Sequence, residues 1–229
     1  MISEAYNRDC LEAMREMDDN AFELAIVDPP YGIGIDGVQL VNASTGRRQN
    51  GGAWKSYHVS SWDSAIPSAE YFTELQRVSE AQIIWGGNYF LDHLRNTRCV
   101  ITWDKIQRDS RADFEMAWTS LDRPSKVFSY SRTAAYINEC DSKIHPTQKP
   151  VALYKWLLTN YAQPGDKILD THLGSGSSRI ACYDLGFDFT GYELDQDYFQ
   201  AQEERFARHT AQERLFVPET KVEQLSLAV

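Results

Sequence analysis

Two hydrophobic rhythms alternate along the chain. Short apolar runs rich in branched residues read as buried strands, and apolar residues recurring every three or four positions read as amphipathic helices. "FELAIVD" (Phe22–Asp28) is the first such run. Before it, "NRDCLEAMREM" places Leu11, Met14 and Met17 on one helical face. Helical spacing returns in "PSAEYFTELQRVS", with Pro67 near its start and Phe72, Leu75 and Val78 aligned. "AQIIWGGN", "RCVITWD" and "FEMAWTS" follow as strands. "PVALYKWLLTNYAQPGD" reads as a helix begun by Pro150 and stopped by Pro164–Gly165. Then come the strand "KILD", a glycine turn opening a helix in "THLGSGSSRIACYDLG", the strand "DFTGYELD" and the helix "QDYFQAQEERFARH". Strands alternating with helices imply an α/β fold, a doubly wound and mostly parallel sheet with helices on its faces.

Two segments break the pattern. Residues 36–61 are rich in Gly, Ser and Asn without sustained periodicity, too long for a simple connection, and read as a lid or contact loop. The tail after Val217 also has little pattern. There is no internal repeat. At 229 residues the chain suits one domain with a full core, 1–229.

Charge refines this reading. The formal net charge of −10 argues against nonspecific coating of nucleic acid, but the charges are unevenly spread. Between Gly37 and Trp62 there is no acid, while Arg47, Arg48 and Lys55 are present, so a bound polyanion would meet the chain there. A solvated loop fits the same charges, and Trp54, Tyr57 and His58 fit either a stacking surface or an anchored lid. Cys10, Cys99, Cys140 and Cys182 are far apart and form no CxxC pair, so no metal is assigned and reduced thiols are expected. No apolar stretch is long enough for a membrane span, and the start lacks a secretory pattern; a cytoplasmic protein is expected.

Two constellations carry candidate chemistry. In "IVDPPYGIGI" the prolines end the strand, leaving the Asp28 carboxylate at its tip with a rigid turn and Tyr31 behind it. In "KILDTHLGSGSSRIA" a strand joins a helix through Gly174-Ser175-Gly176, where the backbone can approach a ligand closely. Glu193 ends the next strand, 17 residues after Gly176, where a carboxylate suits two ribose hydroxyls. The third glycine of a dinucleotide fingerprint and a P-loop lysine are missing. A nucleoside cofactor without pyrophosphate therefore fits better, and S-adenosyl-L-methionine, with its cationic sulfonium near Asp170, is one.

Together these segments resemble the amino-methyltransferases that act on DNA bases. "DPPY" (Asp28, Pro29, Pro30, Tyr31) is similar to their catalytic tetrapeptide, "DTHLGSGS" to their cofactor loop, and "HPTQKP" (His145–Pro150) to a segment facing the cofactor's methionine part. A chance DPPY in such a chain has a probability of about 10⁻³, and two further segments in the expected order make coincidence a poor explanation. The tetrapeptide precedes the loop by 142 residues, which resembles the permuted β class. "QIIWGGNYF", "WDK" and "FEMAW" look like phage and prophage adenine methyltransferases of that class. Thr171 and His172 depart from the usual Pro-Phe.

The resemblance implies a Rossmann-like methyltransferase with S-adenosyl-L-methionine as cofactor and double-stranded DNA as partner. It leaves a homodimer open. The reaction implied is methyl transfer to adenine N6 in a flipped-out base, and residues 128–144 are the candidate target-recognition segment. Cofactor binding is carried over to Asp170, His172, Leu173, Gly174, Ser175, Gly176 and Glu193, with Asp9, His145 and Lys149; DNA contacts fall to Arg47, Arg48 and Lys55. Asp9 is equally compatible with a helix cap, and "HPTQKP" with a helix start. Cytosine-N4 transfer on the same scaffold, a nicotinamide-dependent oxidoreductase and a noncatalytic DNA-binding relative are the alternatives.

Overall fold

In a computed structural model of the chain, residues 1–34, 63–106, 112–131 and 143–211 are described. Eight strands form one sheet: β1 (Ser3–Tyr6), β2 (Phe22–Val27), β3 (Ser79–Trp85), β4 (Val100–Asp104), β5 (Phe114–Thr119), β6 (Lys126–Ser129), β7 (Lys167–Asp170) and β8 (Asp188–Tyr192). The helices are α1 (Cys10–Arg15), α2 (Ala69–Val78), α3 (Val151–Tyr161), α4 (Ser177–Leu185) and α5 (Gln196–Thr210). No described helix is long and apolar enough to cross a membrane.

The strand order is β1-β8-β7-β2-β3-β5-β4-β6. β5 runs antiparallel to both its neighbours, and every other pairing is parallel. This is the expected doubly wound, mostly parallel α/β sheet, with one strand reversed. β2 is central, which explains its unbroken apolar run: Leu24 and Ile26 enter one core layer, Ala25 and Val27 the other. The first layer packs Leu153, Leu157 and Ile180 of α3 and α4 against the sheet, and the second packs Met14, Phe72 and Leu75 of α1 and α2.

The helix starts follow local chemistry. Asp9 caps α1 by accepting from the Glu12 N–H at 3.0 Å, and Ser68 caps α2 through the Tyr71 N–H. Asp195 caps α5 through the Asp197 and Tyr198 N–H groups. Pro150 stands at the N-cap of α3, as its sequence suggests.

Two strands carry no clear signal in the sequence. β1, "SEAY", alternates half-buried and exposed residues at one sheet edge, and β6, "KVFS", is a largely exposed strand at the other. β6 takes the first two residues of the 128–144 segment into the sheet; residues 132–142 of that segment lie outside those described.

The functional consequence lies between β2 and β7. They pair directly (Leu24 with Ile168, Ala25 with Leu169), yet the chain leaves β2 toward β3 and leaves β7 toward β8, on opposite sides. At such a switch point the departing loops diverge and open a crevice at the strands' C-terminal ends. Asp28 and Asp170 stand at those two ends.

Candidate active site

The β2 end is a tightly bonded turn. Asp63 Oδ1, on a nearly inaccessible side chain, accepts from the Tyr31 and Gly32 N–H groups at 2.7 and 2.9 Å and fixes the turn after the prolines. The Tyr31 hydroxyl donates to Asp28 Oδ1 at 2.6 Å. Its ring stacks on Tyr89 with centroids 4.9 Å apart and meets Phe90 edge-on.

A line of alternating charges continues from Asp28. The Lys149 ammonium pairs with Asp28 Oδ2 and lies 3.2 Å from Glu115 Oε2; the Lys105 ammonium lies 2.6 Å from Glu115 Oε1. Lys149 and Lys105 are buried. Burial pushes the Asp28 carboxyl up, Lys149 opposes this, and the neighbouring Glu115 adds to it; the net shift is upward. Burial pushes Glu115 up as well, but Lys149 and Lys105 outweigh it and hold that carboxyl down to about 2. Burial raises the Tyr31 phenol well above its usual range, so its hydroxyl keeps its proton.

The β7 end is a glycine loop clamped from three sides. Gly174, with φ of +52°, donates its N–H to Glu193 Oε2 at 2.8 Å, and Glu193 Oε1 accepts from the Asp195 N–H at 2.9 Å. Leu173 N–H donates to the Tyr192 carbonyl. Gly176 is the left-handed N-cap of α4. From α5, the buried Arg205 guanidinium donates to the Ser175 carbonyl at 2.8 Å and to Ser177 Oγ at 2.9 Å. Asp170 accepts from Ser178 Oγ at 2.5 Å and from the His172 N–H, and burial pushes its carboxyl up to about 7. Glu193 is also raised, first by burial.

Both histidines at this end are neutral near pH 7. Burial lowers His172 to about 4 and His145 to about 3. His172 packs edge-on to Tyr71, and its Nδ1 lies 3.0 Å from Thr171 Oγ1, which in turn lies 2.7 Å from the Tyr71 hydroxyl. The Thr-His departure thus brings a side-chain hydrogen-bond chain that Pro-Phe could not make. His145 packs edge-on to Tyr198 with centroids 4.3 Å apart.

A cavity of about 620 Å³ joins the two ends. Asp28 and Pro30 reach it from β2, and His172, Leu173, Gly174, Ser175 and Glu193 from the glycine loop and β8. His145 and Lys149 supply a third wall, and Asp9, which caps α1, a fourth. Asp170, Gly176, Pro29 and Tyr31 are not among the cavity's lining residues; Asp170 bonds to Ser178 and the His172 N–H within the loop, and Gly176 caps α4. Arg47, Arg48 and Lys55, with the rest of the 36–61 loop, lie outside the described residues. Among the described residues, no group of three or more His, Cys, Asp or Glu is placed to hold a metal ion.

Sequence reasoning missed Asp63, Glu115, Lys105 and Arg205. Arg205 reads as one of several charges on the last helix, and only the α4–α5 packing reveals it as buried. Glu115 was masked by its place at the start of an apolar strand.

A family model described as DNA methylase matches residues 77–204. The chain is 26% identical to the type II methyltransferase M.HpaI of Haemophilus parainfluenzae, over 85% of this chain and 71% of that protein. Among solved structures it is similar to M1.HpyAVI, determined in complex with SAM, with a TM-score of 0.54 and 19% identity over 90% of this chain and 99% of that one. It is also similar to the cytosine-N4-specific PvuII DNA methyltransferase, with a TM-score of 0.58 and 13% identity over 90% and 86%. At these identities the structural likenesses establish a shared fold.

Proposed function

The chain belongs to the DNA methylase family, whose model spans more than half of it, and from this premise we propose that it methylates adenine N6 in double-stranded DNA, with Asp28 as the principal acceptor of the target amine. It is a DNA methyltransferase, and S-adenosyl-L-methionine is its cofactor. The observation that carries the role of Asp28 is that it opens into the same cavity as Gly174 and Glu193. An amine held at Asp28 is thus next to whatever the glycine loop holds.

The cavity fits the cofactor on its own chemistry. Its volume is that of a small-molecule pocket, and Asp9, Asp28, Glu193 and Asp195 give it an acidic lining suited to a sulfonium cation. Glu193 spends one lone pair of each oxygen on the Gly174 and Asp195 N–H groups, leaving one of each for ribose hydroxyls. Gly174, Ser175 and Leu173 would bring backbone against it, with His172 at its side and His145 toward its methionine end. When bound, the cofactor supplies an electrophilic methyl group.

The chain's own residues then activate the acceptor. An exocyclic amine is a poor nucleophile because its lone pair is delocalised into the ring. The Asp28 carboxylate accepts one N–H and the Pro29 carbonyl the other, which draws the nitrogen toward tetrahedral geometry and frees the lone pair. Each Asp28 oxygen already accepts one donor, from Tyr31 or Lys149, and keeps a second lone pair for the amine. Proline fixes φ, so the Pro29 carbonyl is rigidly aimed. The benefit is positioning and electrostatics. A base inside a duplex is out of reach and must be flipped. Tyr89, exposed and stacked on the Asp28-bonded Tyr31, offers an aromatic face beside it; stacking of a base on such a face contributes about 1–3 kcal/mol.

Asp in the first position of the tetrapeptide supports adenine over cytosine, since cytosine-N4 enzymes of this resemblance usually carry Ser there. The 142-residue lead of the tetrapeptide over the glycine loop supports the permuted β class. Backbone contact with DNA is assigned to Arg47, Arg48 and Lys55, in the acid-free loop.

Expression in a host without DNA methylation, followed by sequencing that distinguishes modified bases, tests this reading. N6-methyladenine in a fixed sequence context is expected. N4-methylcytosine alone would overturn the choice of base.

A further inference from the structure

The most unusual feature beside the cavity is the buried row Asp28–Lys149–Glu115–Lys105. It crosses the C-terminal side of the sheet from the tip of β2, past the end of β3, to β5 and the end of β4. Lys149 is 3% exposed, with its ammonium 5.4 Å from the Trp85 ring centroid and 3.3 Å from the Tyr31 hydroxyl. Two carboxylates and two ammonium groups alternate, so the row is neutral as a whole, and each charge has an opposite neighbour. That is the condition under which charges persist in an interior.

We infer that Lys149, anchored by Glu115 and Lys105, is the counter-ion that keeps Asp28 ionised for the reaction, and is a positioning residue acting through Asp28 rather than a ligand of the cofactor's methionine part. The inference rests on the proposed role of Asp28. The surroundings of Asp28 explain why a counter-ion is required. Glu115 on β5 faces it with like charge, and the Asp170 carboxyl on β7, raised to about 7, adds a charge only as it ionises, while Tyr31, Tyr71 of α2 and Tyr154 of α3 offer only neutral phenols. Among the described residues Lys149 is the cation that acts on Asp28, and without it Asp28 would sit buried beside two other carboxyls. A protonated Asp28 turns one oxygen into a donor and loses much of its capacity to accept from an amine. Glu115 itself is secured by its second cation, Lys105, and so does not require Lys149 to abandon Asp28.

The test is the pH dependence of kcat/KM for DNA methylation, with S-adenosyl-L-methionine affinity measured alongside by calorimetry. Lys149→Met is expected to move the acid limb upward by about one pH unit or more, the effect of losing an opposite charge within a few ångströms. Cofactor affinity is expected to stay within about threefold, as for a residue that acts on Asp28. Lys149→Arg should return the limb to near its original place. If Lys149→Met does not fold, Lys149→Gln, which keeps a hydrogen-bond donor but carries no charge, is expected to give the same upward shift. An acid limb that stays in place in the folded neutral variants, or lost cofactor affinity as their main effect, would overturn the inference. Asp28→Asn separates the two claims: if it turns over like the wild type, the role of Asp28 fails, whereas an inactive Asp28→Asn with an unmoved limb in the Lys149 variants sinks the counter-ion alone.

Discussion

Gly86 leaves the space that Tyr31 fills. A Cβ built on Gly86 would lie 2.2 Å from Cε1 of the Tyr31 ring and 2.6 Å from Cδ1. Gly86 also has φ of +71°, a conformation other residues adopt only with strain. Gly86 is thus the back wall of the tetrapeptide's aromatic ring, while Gly87 lies against Trp118, and the β3 turn and the β2 turn are built to fit each other.

Gly86→Ala should therefore displace Tyr31 and, through its 2.6 Å hydrogen bond, Asp28. We expect methyl transfer to fall by about tenfold or more, since small misplacements of acceptor groups are costly. S-adenosyl-L-methionine affinity should be retained, because the glycine loop is elsewhere. Steady-state kinetics together with cofactor titration checks both; unchanged turnover would show that the ring's position does not matter.

Arg205 supports the other half of the site. Its bonds to the Ser175 carbonyl and Ser177 Oγ tie α5 to the loop that carries Gly174. Hydrogen bonds from a charged donor contribute about 1.5–3 kcal/mol each, so Arg205→Met is expected to weaken S-adenosyl-L-methionine binding by about tenfold or more. Turnover at saturating cofactor should change far less. Equal losses in affinity and in saturated turnover would show that Arg205 supports the whole molecule instead.

Asp170 gives a stability signature with a definite sign. Its carboxyl rises from 3.8 unfolded to about 7 folded, mainly through burial. Between those values the native state holds a proton that the unfolded state has released, so its contribution falls as pH rises from about 4 to about 7 and is level above that. Asp170→Asn removes this titration. The melting temperature of the variant relative to wild type should climb across that window and then plateau. A difference independent of pH from 4 to 8 would show that Asp170 is ionised throughout in the native protein.

Much of the fold was legible because its strands announce themselves locally. The run Phe22–Val27 is apolar on both faces because β2 is central, and the prolines after it could only end a strand. The glycine loop was legible for the same kind of reason, with a strand before it and a helix after it. What could not be read was whatever depends on strand order. Lys149 and Asp28 are 121 residues apart and meet only because α3 packs beside the β2 end. The reversal of β5, which carries Glu115 into the row, has no signature in "FEMAWT". β1 and β6 are four-residue edge strands whose burial comes from one side alone, so neither develops an apolar run. Asp9 was ambiguous in sequence because the start of α1, which it caps, also borders the cavity.

The central claim is that Asp28 accepts the target amine beside the cofactor cavity. The most direct measurement is single-turnover methyl transfer to unmethylated duplex DNA by Asp28→Asn and wild-type protein, with cofactor affinity determined on the same samples. Asp28→Asn keeps the shape and one acceptor oxygen but removes the charge. The account predicts transfer slowed by about 10²-fold or more, with N6-methyladenine as the wild-type product and S-adenosyl-L-methionine binding preserved. Transfer by Asp28→Asn at the wild-type rate would contradict it.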